Sequence, residues 1–341
     1  MVTRSLRRKL QTAARFALAA TGSSRQLLGV GWEITRACNA RCPFCARFSG
    51  PKGPDTALAL RVIDELAEAG CQRVHLTGGE PLLRDDLPQL LDRIRHRDMQ
   101  SSVNTNGTLL SERADVVERA DTFLVSVDGP QPTHDAYRGA RAFERLMRGI
   151  DTLQASNRRF AFYVALFKQN LTHLDFFVDL AKEHGTYLVV QPGFVHRFGS
   201  TDPNPETPEL PAYRAALSRL REPDYRPYVW NSDPGLDVLM EFPRPQPLRC
   251  HAGRVTCRIE VDGGMYPCAG SLDDPRCAPA PNVFTLGVAE AFRRLARIDC
   301  SRGTCWAAHS IEKNLIFGAS PGAVWNLATR DYMSGRGSNN R

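Results

Sequence analysis

The stretch GVGWEITRACNARCPFC, residues 29–45, decides the fold. Its opening, Gly29–Thr35, carries Val30, Trp32, Ile34 and Thr35, a run of strand length rich in residues that favour strands. Three residues on, Cys38, Cys42 and Cys45 make a C-x3-C-x2-C on the loop that leaves this strand. Three thiolates on one loop can bind three irons of a cubane cluster and leave the fourth iron open to a ligand. A structural zinc wants four ligands. Cys71 and His75, at or beside the next strand, are the nearest further candidates, so at this point zinc stays open.

Working outward, five more β-like runs follow: Arg73–Thr77, Ser101–Thr105, Thr122–Val127, Phe160–Phe167 and Tyr187–Gln191. Helical patterns lie between them. In Ala57–Ala69, Leu58, Val62, Leu66 and Ala69 recur at spacings of three and four. Alternating strands and helices predict βαβ units and a parallel sheet. Six repeats fall short of a closed eightfold barrel, so a partial (β/α)6 TIM-like barrel is expected over residues 29–200. Sites in such sheets lie at the C-terminal strand ends, where Cys38 falls.

Other strand ends carry polar groups. Gly78-Gly79-Glu80-Pro81 follows the second run and Asn104-Thr105-Asn106-Gly107 closes the third. Ser126-Val127-Asp128-Gly129 closes the fourth, followed by His134-Asp135-Ala136-Tyr137-Arg138-Gly139, and Val190-Gln191-Pro192 closes the sixth. In this order, from about residue 29 to 195, the motifs resemble those of the radical S-adenosylmethionine (radical SAM) superfamily. The resemblance implies a [4Fe–4S] cluster on Cys38, Cys42 and Cys45 that binds S-adenosylmethionine through its open iron. It implies reductive cleavage to methionine and a 5′-deoxyadenosyl radical, which takes a hydrogen atom from the substrate. The cofactor carries that chemistry; the protein orients it and excludes water. The resemblance further implies that Phe44 flanks the adenine and that Glu80 holds the methionine ammonium. Gly78 and Gly79 would allow close backbone approach. Asn104, Ser126, Asp128 and Gln191 would contact the cofactor, although Asn, Ser and Asp also favour turns at strand ends.

From Thr201 the character changes. Ten prolines between Pro203 and Pro247 mark an irregular connection, residues 201–247, with one helix expected around Ala212–Leu220. A second cysteine segment, residues 248–320, follows. Cys250-x12-Gly263-x4-Cys268 encloses Ile259–Pro267, which reads as a β-hairpin with an Asp-Gly turn, and Cys300-x4-Cys305 comes later. This is similar to the twitch form of the SPASM extension of some radical SAM enzymes, although those close with C-x2-C. The resemblance implies a small C-terminal domain with a second, auxiliary [4Fe–4S] cluster on Cys250, Cys268, Cys300 and Cys305. Four cysteines also suit zinc. Cys257 and Cys277 are left over, as buried thiols or as ligands or hydrogen donors near the substrate; Cys71 reads as core.

Composition sets the outer bounds. The chain has 341 residues, 42% hydrophobic and 24% charged, which suits about two globular domains. Ten cysteines without an export signal argue for metal ligands over disulfides and for a cytoplasmic protein. No apolar run reaches the roughly 18–20 residues that span a bilayer. Net charge is +7, and Arg4, Arg7, Arg8, Lys9, Arg15 and Arg25 place most of it in the extension formed by residues 1–28. The remainder is near neutral, which excludes a broadly basic nucleic-acid binder. The extension reads as a packed helix or frayed tail in preference to a membrane-surface contact. The tail, residues 321–341, ends in a Gly- and Ser-bearing stretch read as disordered.

A fully ligated auxiliary cluster cannot bind substrate but can relay electrons. Dehydrogenation, epimerisation or C–C coupling are the expected outcomes, with an external electron donor such as flavodoxin or ferredoxin. Only 28 residues precede the first strand, too few for a leader-binding unit, so a small polar metabolite (sugar, aminocyclitol or nucleoside) in natural-product biosynthesis is the expected substrate. The alternative is a ribosomally made peptide. A non-enzymatic iron–sulfur or zinc protein would explain the cysteines but not the Gly78–Pro81 motif.

Overall fold

The structure, a computed structural model, describes residues 25–48, 50–193, 195–198, 200–244, 248–272, 274–296 and 306–330. The N-terminal extension up to residue 24, Cys300, Cys305 and the tail from residue 331 lie outside the described residues.

The chain runs β1 (Gly29–Thr35), α1 (Thr56–Glu68), β2 (Arg73–Gly78), α2 (Leu87–His96), β3 (Gln100–Thr105), α3 (Ala114–Val117), β4 (Thr122–Ser126) and α4 (Gln131–Arg138). It continues with α5 (Ala142–Ala155), β5 (Arg159–Leu166), α6 (Leu174–Glu183), β6 (Leu188–Pro192), α7 (Leu210–Arg219) and α8 (Asp233–Met240). After the Pro-rich connection come β7 (Thr256–Ile259), β8 (Met265–Tyr266), α9 (Val283–Leu286), α10 (Val288–Arg294), α11 (Ala308–Phe317) and α12 (Pro321–Arg330). The first six strands pair in parallel in sequence order, and the sheet stays open, as a partial TIM-like barrel.

Local chemistry places the helices. Asp55 caps α1 by accepting the Leu58 N–H at 2.8 Å, a bond whose loss typically costs about 1 kcal/mol. Ala59, Val62, Ile63 and Leu66 then bury one face of α1. Within β2, Val74 and Leu76 are fully buried in the apolar core, whereas Arg73, His75 and Thr77 alternate with them and line an interior cavity.

The sheet has eight strands, two more than six βα repeats provide. The expected hairpin does form, with Gly263 at φ +87° in its turn. Its first strand, β7, lies parallel to β1, with Gly29 opposite Thr256 and Trp32 opposite Ile259. Without β7, β1 would be a bare edge. The segment that begins at Cys250 therefore extends the barrel sheet directly.

The open side is spanned by α11. At one end the Ala308 N–H donates to Gln191 Oε1 on β6 at 3.3 Å. Along the helix, Asn314 accepts the His251 N–H at 2.8 Å, and Phe317 packs on Leu28 and Val255 beside the start of β1 and β7.

Candidate active site

The barrel encloses a cavity of about 520 Å³ that runs from the C-terminal strand ends, at Cys38 and Asn104, to the strand starts, at Gly29 and Arg73. Cys38, Cys42 and Cys45 all line it. Their loop is held from two sides. The Cys45 N–H donates to Cys42 O at 3.1 Å, which makes a tight turn, and Ala46 and Phe44 exchange backbone hydrogen bonds with Phe198 at 2.9 Å each. Cys38 Sγ accepts the Ala40 N–H at 3.4 Å and Cys45 Sγ accepts the Arg47 N–H at 3.3 Å. Burial pushes all three thiols up, Cys42 to about 12. As a bare protein these are neutral thiols, and a bound cation is what would hold them as thiolates. Among the described residues no three Cys, His, Asp or Glu converge on a point that suits a single metal ion. A cubane spreads three thiolates over three irons, and three thiols on one loop fit that arrangement.

The glycine pair explains how the loop is fixed. A Cβ on Gly78 would stand 2.1 Å from Thr35 O, and one on Gly79 2.2 Å from Ala37 O. The N–H groups of Gly79 and Glu80 donate to those same carbonyls at 2.8 Å each. The close approach made by these glycines is thus to the backbone leading into Cys38.

Among the expected cofactor contacts, Gly78, Gly79, Asn104, Ser126, Asp128 and Gln191 line the cavity, as does Phe44. Asn104 Oδ1 is buried with no hydrogen-bond partner, an orphaned acceptor beside open space. Asp128 is ion-paired with Arg138 of α4, and Gln191 Oε1 accepts the Tyr163 hydroxyl at 2.5 Å. Phe44 stacks on Phe167 with ring centroids 4.1 Å apart, so one of its faces is covered. Glu80 is not among the residues that line the cavity. It has no solvent exposure and lies behind the cavity wall, where it accepts from Thr105 Oγ1 at 2.8 Å, the Asn106 N–H at 2.7 Å and the Leu82 N–H at 3.1 Å. Oε1 accepts two of these bonds and Oε2 one.

Of the second cysteine set, Cys250 and Cys268 are half-buried, and Cys268 lines the same cavity. Burial raises the Cys268 thiol, while a Ser271 hydrogen bond lowers it and the nearby Cys250 raises it further. Cys277, read from sequence as a leftover thiol, also meets Ser271. Cys257 is buried on β7 and lines the cavity, and Cys71 is in the core.

Sequence reading missed two features. Arg47, two residues past Cys45, sits between Glu33 of β1, at 2.5 Å, and Glu260 after β7, all three buried. Burial pushes Glu33 up; for Glu260 burial is outweighed by Arg258 and Arg47, which hold its carboxyl low. The second feature is a polar and aromatic lining midway down the barrel: His75, Ser102, Tyr163, Trp230 and His309. The signal for its barrel half was the alternation of polar with apolar residues along β2.

Residues 32–181 match the family model described as the radical SAM superfamily. The Fe-coproporphyrin III synthase of Methanosarcina barkeri is 32% identical over 164 residues, covering 45% of this chain and 41% of that protein. This chain thus spans about two-fifths of that relative's length. The mycofactocin maturase MftC of Mycolicibacterium smegmatis is 27% identical over 339 residues, covering 86% of this chain and 81% of MftC. Among solved structures, Streptococcus suis SuiB bound to the precursor peptide SuiA superposes with a TM-score of 0.65 at 14% identity, over 87% of this chain and 70% of SuiB. Residues 32–181 thus carry the radical SAM match, and the relatives named here are enzymes. The family match supports S-adenosylmethionine and the radical SAM iron–sulfur cluster as the chain's cofactors.

Proposed function

We propose that Cys38, Cys42 and Cys45 hold the [4Fe–4S] cluster and that S-adenosylmethionine lies along the cavity wall formed by Gly78, Gly79, Asn104, Ser126 and Asp128. The observation that carries this is the three thiols and the orphaned Asn104 acceptor facing one enclosed space. When bound, the cofactor pair supplies a carbon radical able to take hydrogen from a substrate. The chain's own part is to place and shield it. Arg138, paired with Asp128, sets a positive charge near Cys38 and Cys42. Phe44, Phe167 and Tyr137 pack together around the cluster loop, and Phe44 and Phe167 give the mouth an apolar rim that excludes water.

For the substrate, the comparisons favour a peptide over the small metabolite expected from sequence. MftC is a maturase and SuiB was solved with a precursor peptide, and the likeness to each extends beyond the barrel into the C-terminal segment. Cys250 and Cys268, with Cys300 and Cys305, are proposed to hold an auxiliary cluster in a twitch-like segment that passes electrons between the substrate and an external donor such as flavodoxin or ferredoxin. Anaerobic reconstitution should then give about eight irons, falling to about four when Cys38, Cys42 and Cys45 are changed to Ala. With dithionite and S-adenosylmethionine the wild type should form 5′-deoxyadenosine, and a short peptide encoded beside its gene should change mass. Stoichiometric zinc with little iron would end the cluster reading. A sugar or nucleoside turned over where all such peptides fail would restore the metabolite reading.

Among the described residues no helix is long and apolar enough to cross a membrane.

A further inference from the structure

Midway down the cavity, away from the cysteine loop, the His309 ring is packed among three others. Trp230 lies 5.1 Å from it, Tyr163 5.9 Å and His75 6.4 Å, centroid to centroid, all within 30° of parallel. His75 Nδ1 shares a 2.8 Å hydrogen bond with Ser102 Oγ. One turn past His309 on α11, Lys313 reaches into the lumen. Arg73 and Arg258 also line the cavity, Arg258 in an ion pair with Glu260.

Among the described cavity-lining residues the carboxylates are Asp128 and Glu312. Asp128 sits near the cysteine end, paired with Arg138, and Glu312 accepts the Ser232 N–H at 2.8 Å. No described carboxylate pairs with Lys313. Burial, reinforced by neighbouring cations, holds His75 down to about 3 and His309 well below its usual range, so both rings are neutral hydrogen-bonding groups. Lys313 opens onto the cavity, and an anion entering there would gain a charge-assisted contact with its ammonium.

We propose that this inner end is a carboxylate-binding subsite for the substrate. Lys313 and the His75–His309 pair contact the carboxylate, and Trp230 and Tyr163 form the walls for the flat or apolar group beside it. A peptide brings such a carboxylate at its C-terminus or on an acidic side chain. The inference rests on reading the cavity as the chamber where substrate meets the radical.

The test uses the full chain, anaerobically reconstituted, with saturating S-adenosylmethionine and no reductant. The cofactor's own carboxylate site is then filled and nothing turns over. N-acetylphenylalanine and N-acetylphenylalaninamide share a ring and differ in the carboxylate; their binding is measured by calorimetry. The acid is expected to bind at least about tenfold tighter, as one charge-assisted hydrogen bond supplies. Lys313→Met should bring the two within about threefold of each other, and Lys313→Arg should keep the preference. Equal affinities in the wild type overturn the subsite with no variant needed, as does a Lys313→Met protein that keeps the tenfold gap. These probes are single amino-acid derivatives. Failure of the peptide reading therefore leaves the subsite standing, and equal probe binding removes the subsite while leaving the peptide reading intact.

Discussion

The Asn106 backbone N–H donates to a Glu80 oxygen at 2.7 Å, in a wall with no solvent exposure at Glu80. This bond ties the end of β3 to the turn after β2. Burial raises the Glu80 carboxyl, opposed by the Asn106, Thr105 and Leu82 hydrogen bonds. Glu80→Ala strands three donors and is expected to lower stability by about 2–4 kcal/mol, with Glu80→Gln milder. S-adenosylmethionine affinity should fall in step with the disordered loop. Denaturant unfolding and equilibrium binding on each variant check this. Native stability together with a selective loss of cofactor binding would instead give Glu80 a direct contact.

Asn104→Ala should behave in the opposite way. Its Oδ1 faces the cavity without a protein partner, so removal strands nothing in the empty protein. S-adenosylmethionine should bind roughly tenfold more weakly, about 1.4 kcal/mol, with iron content and unfolding midpoint unchanged. An unaltered dissociation constant would remove Asn104 from the cofactor wall.

Arg47→Met removes the closest cation from Glu33 and Glu260, leaving Arg36 at 3.5 Å from each and Arg258 beside Glu260. A loss of about 1–3 kcal/mol is expected, measured by chemical denaturation, because buried charge-assisted hydrogen bonds are lost while part of the charge stays compensated. Arg47→Lys should rescue only part, since an ammonium cannot reproduce the planar fork. Because Arg47 follows Cys45 by two residues, iron retention should drop with stability.

His134 gives a pH signature. Its Nδ1 accepts the Asp128 N–H at 3.3 Å, which requires the neutral ring, and burial holds it down to about 4 although Asp128 favours the charged form. Between its unfolded value near 6.5 and about 4, the unfolded chain binds the extra proton, so stability is full above pH 6.5 and falls as the pH drops through that window. The full effect is about 3 kcal/mol. Denaturant midpoints from pH 7 to 4 should show a shallower decline in His134→Asn than in the wild type.

Much of this was written in the sequence because local rules decide it. β1 spans Gly29–Thr35, as its pattern predicts, and β2 starts at Arg73, as its pattern predicts. The Asp262–Gly263 turn forms where a left-handed residue is needed. What sequence could not supply was contact between distant segments. The hairpin read correctly by itself, yet nothing local says that Cys257 lies beside Val30. His309 and Lys313 sit on a helix some 230 residues from His75, and only the open side of the barrel brings them in. Glu80 shows a different limit. A motif places a carboxylate at a strand end, but whether it faces a ligand or braces its own loop depends on the turn it sits in.

The pairing of β7 with β1 also bears on how such enzymes can be recombined. If the C-terminal segment were a free-standing module, it could be grafted from one relative to another by joining chains near the Pro-rich connection. Here that junction would transplant a strand of the recipient's own sheet. A foreign segment would have to bring apolar residues where Cys257 and Ile259 now fit and an acidic residue at the place of Glu260 to meet Arg47. The exchangeable piece is therefore the β1 strand, its cysteine loop and the hairpin taken together, and chimaeras cut between them should come out insoluble however well their catalytic residues are matched.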